Sequence, residues 1–372
     1  MQNKIKNVVV TLVFTLFIGL FSVLCIINYF NPTESSASER RPLAQFPESI
    51  TLESVIDKTT IDQFEKASVD QFPFREFFRK IKANFQYNAL QLKENNGLAI
   101  ENGYIGKIES EFNQNFVNNS ISRLEYIYQN LLAGKVNNSY VSIIPDKNYF
   151  FAEDFGYVSP DYDKLIADIK EKLPEMEYID LFNSLELEDY YKTDTHWSQD
   201  KILEALKALT DGLGVSEHIS GNYTENTIDG DFHGVYHGQS ATNPAPDKIT
   251  YLTNESIDSC KVYDMLNKKL VPMYNLELFN GEDGYNIFLN GAAGNPLLKI
   301  TNPKCENKNT LVVFRDSYGS SMVPLLSEAY RNVVVIDIRS IHPDIIPQLV
   351  NLENTDVLFL FSTLVLNSNS FK

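Results

Sequence analysis

From Val8 to Phe30 the chain is almost entirely apolar and carries no charge. A stretch of about 20 such residues spans a bilayer as a helix. Lys4 and Lys6 precede it and Glu34 lies just beyond, so the rest of the chain is expected on the outer side. A cleaved signal peptide is the rival reading. The run is long for a signal, and Asn28-Tyr29-Phe30-Asn31-Pro32 lacks a small-residue cleavage pattern. Leu24 also stands before Cys25, where lipoprotein processing needs a small residue. Residues 1–31 are therefore read as an uncleaved membrane anchor.

The pattern then changes. Asn31 to Glu48 is rich in Pro, Ser, Glu and Arg and reads as a linker. Ile61 to Leu92 has helical periodicity, with a break near Pro73 because proline disfavours helix before it. Residues 32–95 thus form a linker and a helical segment. Beyond them, Asn96 to Ile105 predicts a short strand pair turning at Asn102-Gly103. Helices are predicted over Ile121–Leu132, Tyr162–Leu173, Ser198–Leu213 and Met322–Tyr330. Strands are predicted over Ser139–Ile144, Tyr178–Leu181, Leu311–Phe314, Val333–Ile338 and Val357–Phe361. Short apolar strands alternating with helices predict an α/β domain over 96–372, with a mostly parallel sheet and flanking helices. The stretch from Asp211 to Pro303 is Gly-, Asn- and Asp-rich and reads as irregular.

Composition narrows the function classes. The chain has 372 residues, 43% hydrophobic and 12% aromatic, enough for a sizeable core. A formal net charge of -17 repels phosphate backbones and argues against nucleic acid as a partner. Cys260 and Cys305 are permitted to pair outside the cell or to stay free, and the sequence does not choose. His233 and His237 lie four apart, a metal spacing on a helix, but Gly234 and Gly238 favour a loop. No metal or cofactor motif is read in the chain.

Two motifs carry candidate chemistry. In Leu311-Val312-Val313-Phe314-Arg315-Asp316-Ser317-Tyr318-Gly319, a strand ends in a sharp turn before a helix. Ser317 then stands at the carboxyl end of a strand, where open α/β sheets bind ligands. Its hydroxyl lies near a helix N-terminus, whose N–H groups can hold an oxyanion. Taken alone, Asp316 and Ser317 equally fit a simple helix cap. In Lys192-Thr193-Asp194-Thr195-His196-Trp197, Asp194 and His196 are two apart and point the same way in an extended segment. A carboxylate so placed can orient an imidazole, as a Ser–His–Asp triad requires. The plain alternative is a capping segment with His196 packed beside Trp197. Together the motifs supply nucleophile, base and orienting acid.

The ordered motifs resemble the DHHW protein family of Gram-positive bacteria, within the SGNH-hydrolase-like proteins that include alginate O-acetyltransferases. They are Ser38-Glu39-Arg40-Arg41-Pro42-Leu43, Asp70-Gln71-Phe72-Pro73-Phe74-Arg75, Asp194-Thr195-His196-Trp197, Asp231-Phe232-His233-Gly234-Val235-Tyr236, Phe288-Leu289-Asn290-Gly291, Asp316-Ser317-Tyr318 and Val335-Ile336-Asp337-Ile338-Arg339. The first His of Asp-His-His is replaced by Thr195, and Arg315 stands where SGNH hydrolases have Gly. Acid and base precede the serine, as in the permuted alginate O-acetyltransferases. The resemblance implies an SGNH-like fold and acetyl transfer through Ser317 to an exopolysaccharide or wall polysaccharide. It also implies a multi-spanning membrane O-acyltransferase that supplies the acetyl group. Asn295 is the oxyanion candidate and Asn290 its alternative; Tyr318 is expected to line the site and Trp197 to stack on sugar or pack in the core. A carbohydrate acetyl esterase with the same triad, and a non-catalytic scaffold subunit, are the competing functions.

Overall fold

A computed structural model describes residues 2–292 and 294–371. The chain divides into two compact units: residues up to 95 with 237–243, and 96–236 with those from 244 on.

In the first unit, helix α1 spans Gln2–Phe30 and is long and apolar enough to cross a membrane, a test that a signal sequence also passes. Helices α2 (Thr59–Asp70) and α3 (Arg75–Asn84) flank the expected break, where Phe74 adopts a left-handed backbone with φ 59°. Two of the sequence motifs meet here. Asp70 accepts a two-pronged bond from Arg41, at 2.8 and 2.7 Å, and Arg75 reaches both Glu39 and Asp70. The hydrogen bond from Arg41 is the chief reason that the Asp70 carboxyl is held down at about 2.

The second unit is built on an eight-stranded sheet. A hairpin, β1 (Leu98–Glu101) and β2 (Tyr104–Lys107), turns through Asn102 and Gly103, both at positive φ. The large sheet comprises β3 (Asn138–Ile144), β4 (Glu177–Tyr178), β5 (Lys261–Asp264), β6 (Lys269–Val271), β7 (Leu297–Thr301), β8 (Thr310–Arg315), β9 (Asn332–Ile336) and β10 (Asp356–Ser362). Its order is β6-β5-β7-β9-β8-β10-β3-β4. The five strands from β9 to β4 are mutually parallel, and β7, β5 and β6 continue the sheet antiparallel. Those antiparallel strands, and the hairpin Thr224–Thr227 with Thr250–Thr253, lie in the stretch read as irregular. Their short length, with Asn and Gly between, hid them.

Both faces of the central parallel strands are buried, as a parallel sheet requires. Leu311, Val313, Leu358 and Leu360 face one core cluster; Val312, Phe314, Val357 and Phe359 face the other. Helices α4 (Gln114–Ile127) and α6 (Tyr162–Lys172) cover the second face. Helices α7 (Leu203–Gly212) and α8 (Gly319–Leu326) cover the first. Between α4 and α6 lies α5 (Lys147–Phe155), capped by Asp146. Helix α7 starts later than Ser198 because Gln199 turns away, donating to the Ser321 carbonyl and accepting from the Leu252 N–H. Helix α8 starts three residues earlier than predicted, close behind Ser317.

Candidate active site

Strand β8 is flanked by β9 and β10, and its carboxyl end delivers Arg315, Asp316 and Ser317 into a tight turn. The turn is tied from within. Asp316 accepts from the Tyr318 N–H with one oxygen, and from the Ser362 N–H and hydroxyl with the other. Asp316 is thus a buried brace, reaching from the turn across to the end of β10.

The 193–197 loop approaches from the other side. His196 Nε2 lies 2.8 Å from Ser317 Oγ, and His196 Nδ1 lies 2.6 Å from Asp194 Oδ1. The same Asp194 oxygen accepts from the His196 N–H, and its partner accepts from the Val235 N–H. Burial alone would raise the Asp194 carboxyl. The neighbouring imidazole and these hydrogen bonds outweigh it and hold the group well below the usual carboxylate range. Asp194 and His196 are buried, and Ser317 is partly open. The serine is therefore reachable from solvent while the carboxylate and imidazole stay shielded.

Residues 174–336 match the family model described as DHHW protein. The chain carries a region similar to the DHHW family. That region contains Asp194, His196 and Ser317. A DHHW family protein from Eubacterium siraeum has a similar structure, with 23% identity and a TM-score of 0.58, over 75% of this chain and 94% of that one. PatB1 from Bacillus cereus, solved with a sulfonyl adduct, is similar at 18% identity and a TM-score of 0.55, over 74% of this chain and 97% of that one. Both share its α/β fold. Comparison with curated proteins gave no match.

The other expected residues of the DHHW region fall in different places. Tyr318 is buried; its hydroxyl donates to the Thr195 carbonyl at 2.6 Å, and its ring lies 4.8 Å from that of His196. Trp197 is fully buried, with its indole N–H between the Tyr318 carbonyl and Ser321. It therefore has no open face for a sugar; it ties the base loop to the nucleophile turn. Asn295 sits in the loop leading into β7, donating to the Asn290 carbonyl at 2.9 Å, and among the described residues no contact joins it to Ser317. The Asn290 side chain is engaged by Asn275 and Pro272. Cys260 and Cys305 are free thiols. Among the described residues no group of three His, Cys, Asp or Glu side chains is placed to hold a metal.

Several supports escaped the sequence reading. Tyr285 stacks on His196 with centroids 3.8 Å apart and planes 6° from parallel, fixing the imidazole plane and facing its charged form with a π cloud. Nothing in the sequence around Tyr285 signals this. Asp247 receives the N–H groups of Lys192 and Thr193 and the Thr193 hydroxyl, anchoring the base loop. Gly234 had a signal, since it belongs to a motif already singled out. A Cβ there would lie 2.4 Å from Asp194 Cα and from the Thr193 carbonyl oxygen. Gly234→Ala should therefore push the acid out of line and cut the rate of serine acylation by about 100-fold, since ångström-scale misplacement costs that much. Stopped-flow acylation beside circular dichroism would check it.

Lys147 is buried nearby, its ammonium donating to the carbonyls of Ile105, Tyr191 and Lys192. Burial pushes it down to about 7, against the pull of Asp194 and Asp247. Between that value and the unfolded lysine value near 10, the unfolded chain binds the extra proton, so stability rises with pH. Denaturant titrations should show a rise of up to about 1.4 kcal/mol per pH unit from pH 7.5 to 9. Lys147→Met should lose that slope.

Proposed function

We propose that this protein is an extracytoplasmic, serine-dependent O-acetyltransferase that modifies an exopolysaccharide or cell-wall polysaccharide. The reading assigns residues 1–31 to a membrane anchor, 32–95 to a linker and helical segment, and 96–372 to the catalytic domain. The observation that carries it is the continuous hydrogen-bonded series from Asp194 through His196 to Ser317, with only the serine open to substrate. The family match and the fold shared with PatB1, itself solved with a sulfonyl adduct, support it.

In this mechanism His196 Nε2 takes the Ser317 proton as Oγ attacks an acetyl carbonyl. The tetrahedral oxyanion is held by the Ser317 N–H, with Asn295 as a further donor if its loop closes over bound substrate. Collapse breaks the bond to the donor's oxygen, which leaves with the proton from His196. A sugar hydroxyl then attacks acetyl-Ser317, gives its proton to His196, and leaves as the acetyl ester; the same proton returns to Ser317. Asp194 holds the imidazole in the tautomer that carries hydrogen on Nδ1 and stabilises its transient charge. A multi-spanning membrane O-acyltransferase is the proposed source of acetyl groups.

Full-length protein incubated with p-nitrophenyl acetate tests this by intact mass. One added acetyl group on Ser317, discharged faster by oligosaccharide than by water, is the expected result. Discharge to water alone would make the protein an esterase, and no adduct from folded protein would favour a scaffold.

A further inference from the structure

Helix α1 is not isolated from the rest of its unit. Phe21, well inside the apolar run, stacks on Phe72 at 5.9 Å and meets Phe74 at 6.3 Å and Phe78 at 6.1 Å. Higher on the same helix, Asn28 donates to the Gln71 carbonyl, and Gln71 exchanges bonds with the Thr33 backbone. Gln71 thus marks the level where the polar linker begins. Phe21 lies seven residues before Asn28, about 10 Å deeper along the helix axis. The span from Lys6 to Asn28 is about 33 Å, which matches a hydrocarbon core of about 30 Å. The rings that touch Phe21 therefore lie at acyl-chain depth if α1 spans the bilayer.

The faces around those rings are apolar and open. Phe74 and Phe77 are each 61% exposed, and Ile81 on α3 and Phe85 just after it extend the stripe at helical spacing. On the opposite side of α3, Arg75 and Arg79 pair with buried Glu39. The chain break is also suited to lipid. Pro73 brings no N–H, and the N–H groups of Gln71, Phe72 and Arg75 bond to nearby carbonyls. An apolar stripe on one side and paired arginines on the other make up the pattern of an interfacial helix.

We propose that the Phe72–Phe85 segment is embedded in the membrane leaflet farther from Lys4 and Lys6, with its phenylalanines among acyl chains. It rests on the reading of α1 as an uncleaved span. The protein would then hold the membrane by a spanning helix and a wedge docked against it. The ring contacts with Phe21 favour lipid over a soluble protein partner, because only something that reaches below the headgroups can cover this face.

The test uses full-length Phe77→Trp, with Phe74→Trp as a second variant, reconstituted in phosphatidylcholine–phosphatidylglycerol vesicles. Wild type is the reference, since its single Trp197 is fully buried. Brominated acyl chains should quench each variant at least twofold more than wild type, while aqueous iodide should not. Quenching by iodide would put the face in water, and insensitivity to both would put it under protein; either overturns the proposal. Intact mass of the reconstituted chain separates the premise. Loss of the first 30 or so residues would overturn the anchor reading and the wedge with it, leaving the serine chemistry untouched.

Discussion

Ser317→Ala should form no acetyl-protein adduct and lose turnover by about 10⁴-fold or more, the scale on which a triad nucleophile's removal is felt. The substitution removes one oxygen atom from a partly open position, so the fold has little reason to change. Ser317 Oγ makes its hydrogen bond to His196, whereas the turn is held by Asp316, Ser362 and Tyr318 through other atoms. Unchanged melting with abolished adduct would therefore isolate chemistry from stability. An adduct that persists in the variant would move the nucleophile elsewhere and sink the assignment.

Asp194→Asn is expected to be nearly as damaging, by about 10⁴-fold in acylation rate. Both Asp194 oxygens accept hydrogen bonds, from His196 on one side and the Val235 N–H on the other. Asparagine supplies one acceptor and one donor. If its NH₂ faces His196, the ring must place its proton on Nε2, where it cannot take the Ser317 proton, and the His196 N–H meets a donor in place of its acceptor. If the NH₂ faces Val235, two donors oppose one another in a buried site, at a cost of about 1–3 kcal/mol. Rapid-quench acylation and thermal melting on the same samples read the two effects separately: the rate reports the tautomer, and the melting temperature reports the lost hydrogen bonds. A rate within tenfold of wild type would remove Asp194 from the mechanism.

The α/β class could be read from the sequence because β8, β9 and β10 are short apolar runs buried on both faces. Their hydrophobicity does not depend on distant partners. Asp194, His196 and Ser317 were legible as a candidate triad because such a triad demands particular residue types beside a strand end and a helix. That they meet was not legible, since no spacing rule spans 121 residues. Trp197 shows the opposite limit. A lone Trp beside a candidate base fits sugar stacking and core packing alike, and only the Tyr318 carbonyl and Ser321 decide for packing. Tyr285 and Asp247 act through tertiary approach alone, so their local sequence holds no trace of it. The antiparallel strands β5 to β7 were obscured because their partners, not their own periodicity, make them strands.

The brace between Asp316 and Ser362 has a consequence for when the protein can first work. Ser362 closes β10, which is made after every other strand of the sheet. Thr363, next in the chain, bonds Asp146 at the head of α5. A nascent chain that already holds the serine, the histidine and the aspartate still lacks both fasteners. Reactivity should therefore arise late in synthesis, in one step with closure of the sheet, rather than grow as each side chain emerges. A protein whose working parts fold after crossing a membrane would gain a built-in delay from this arrangement.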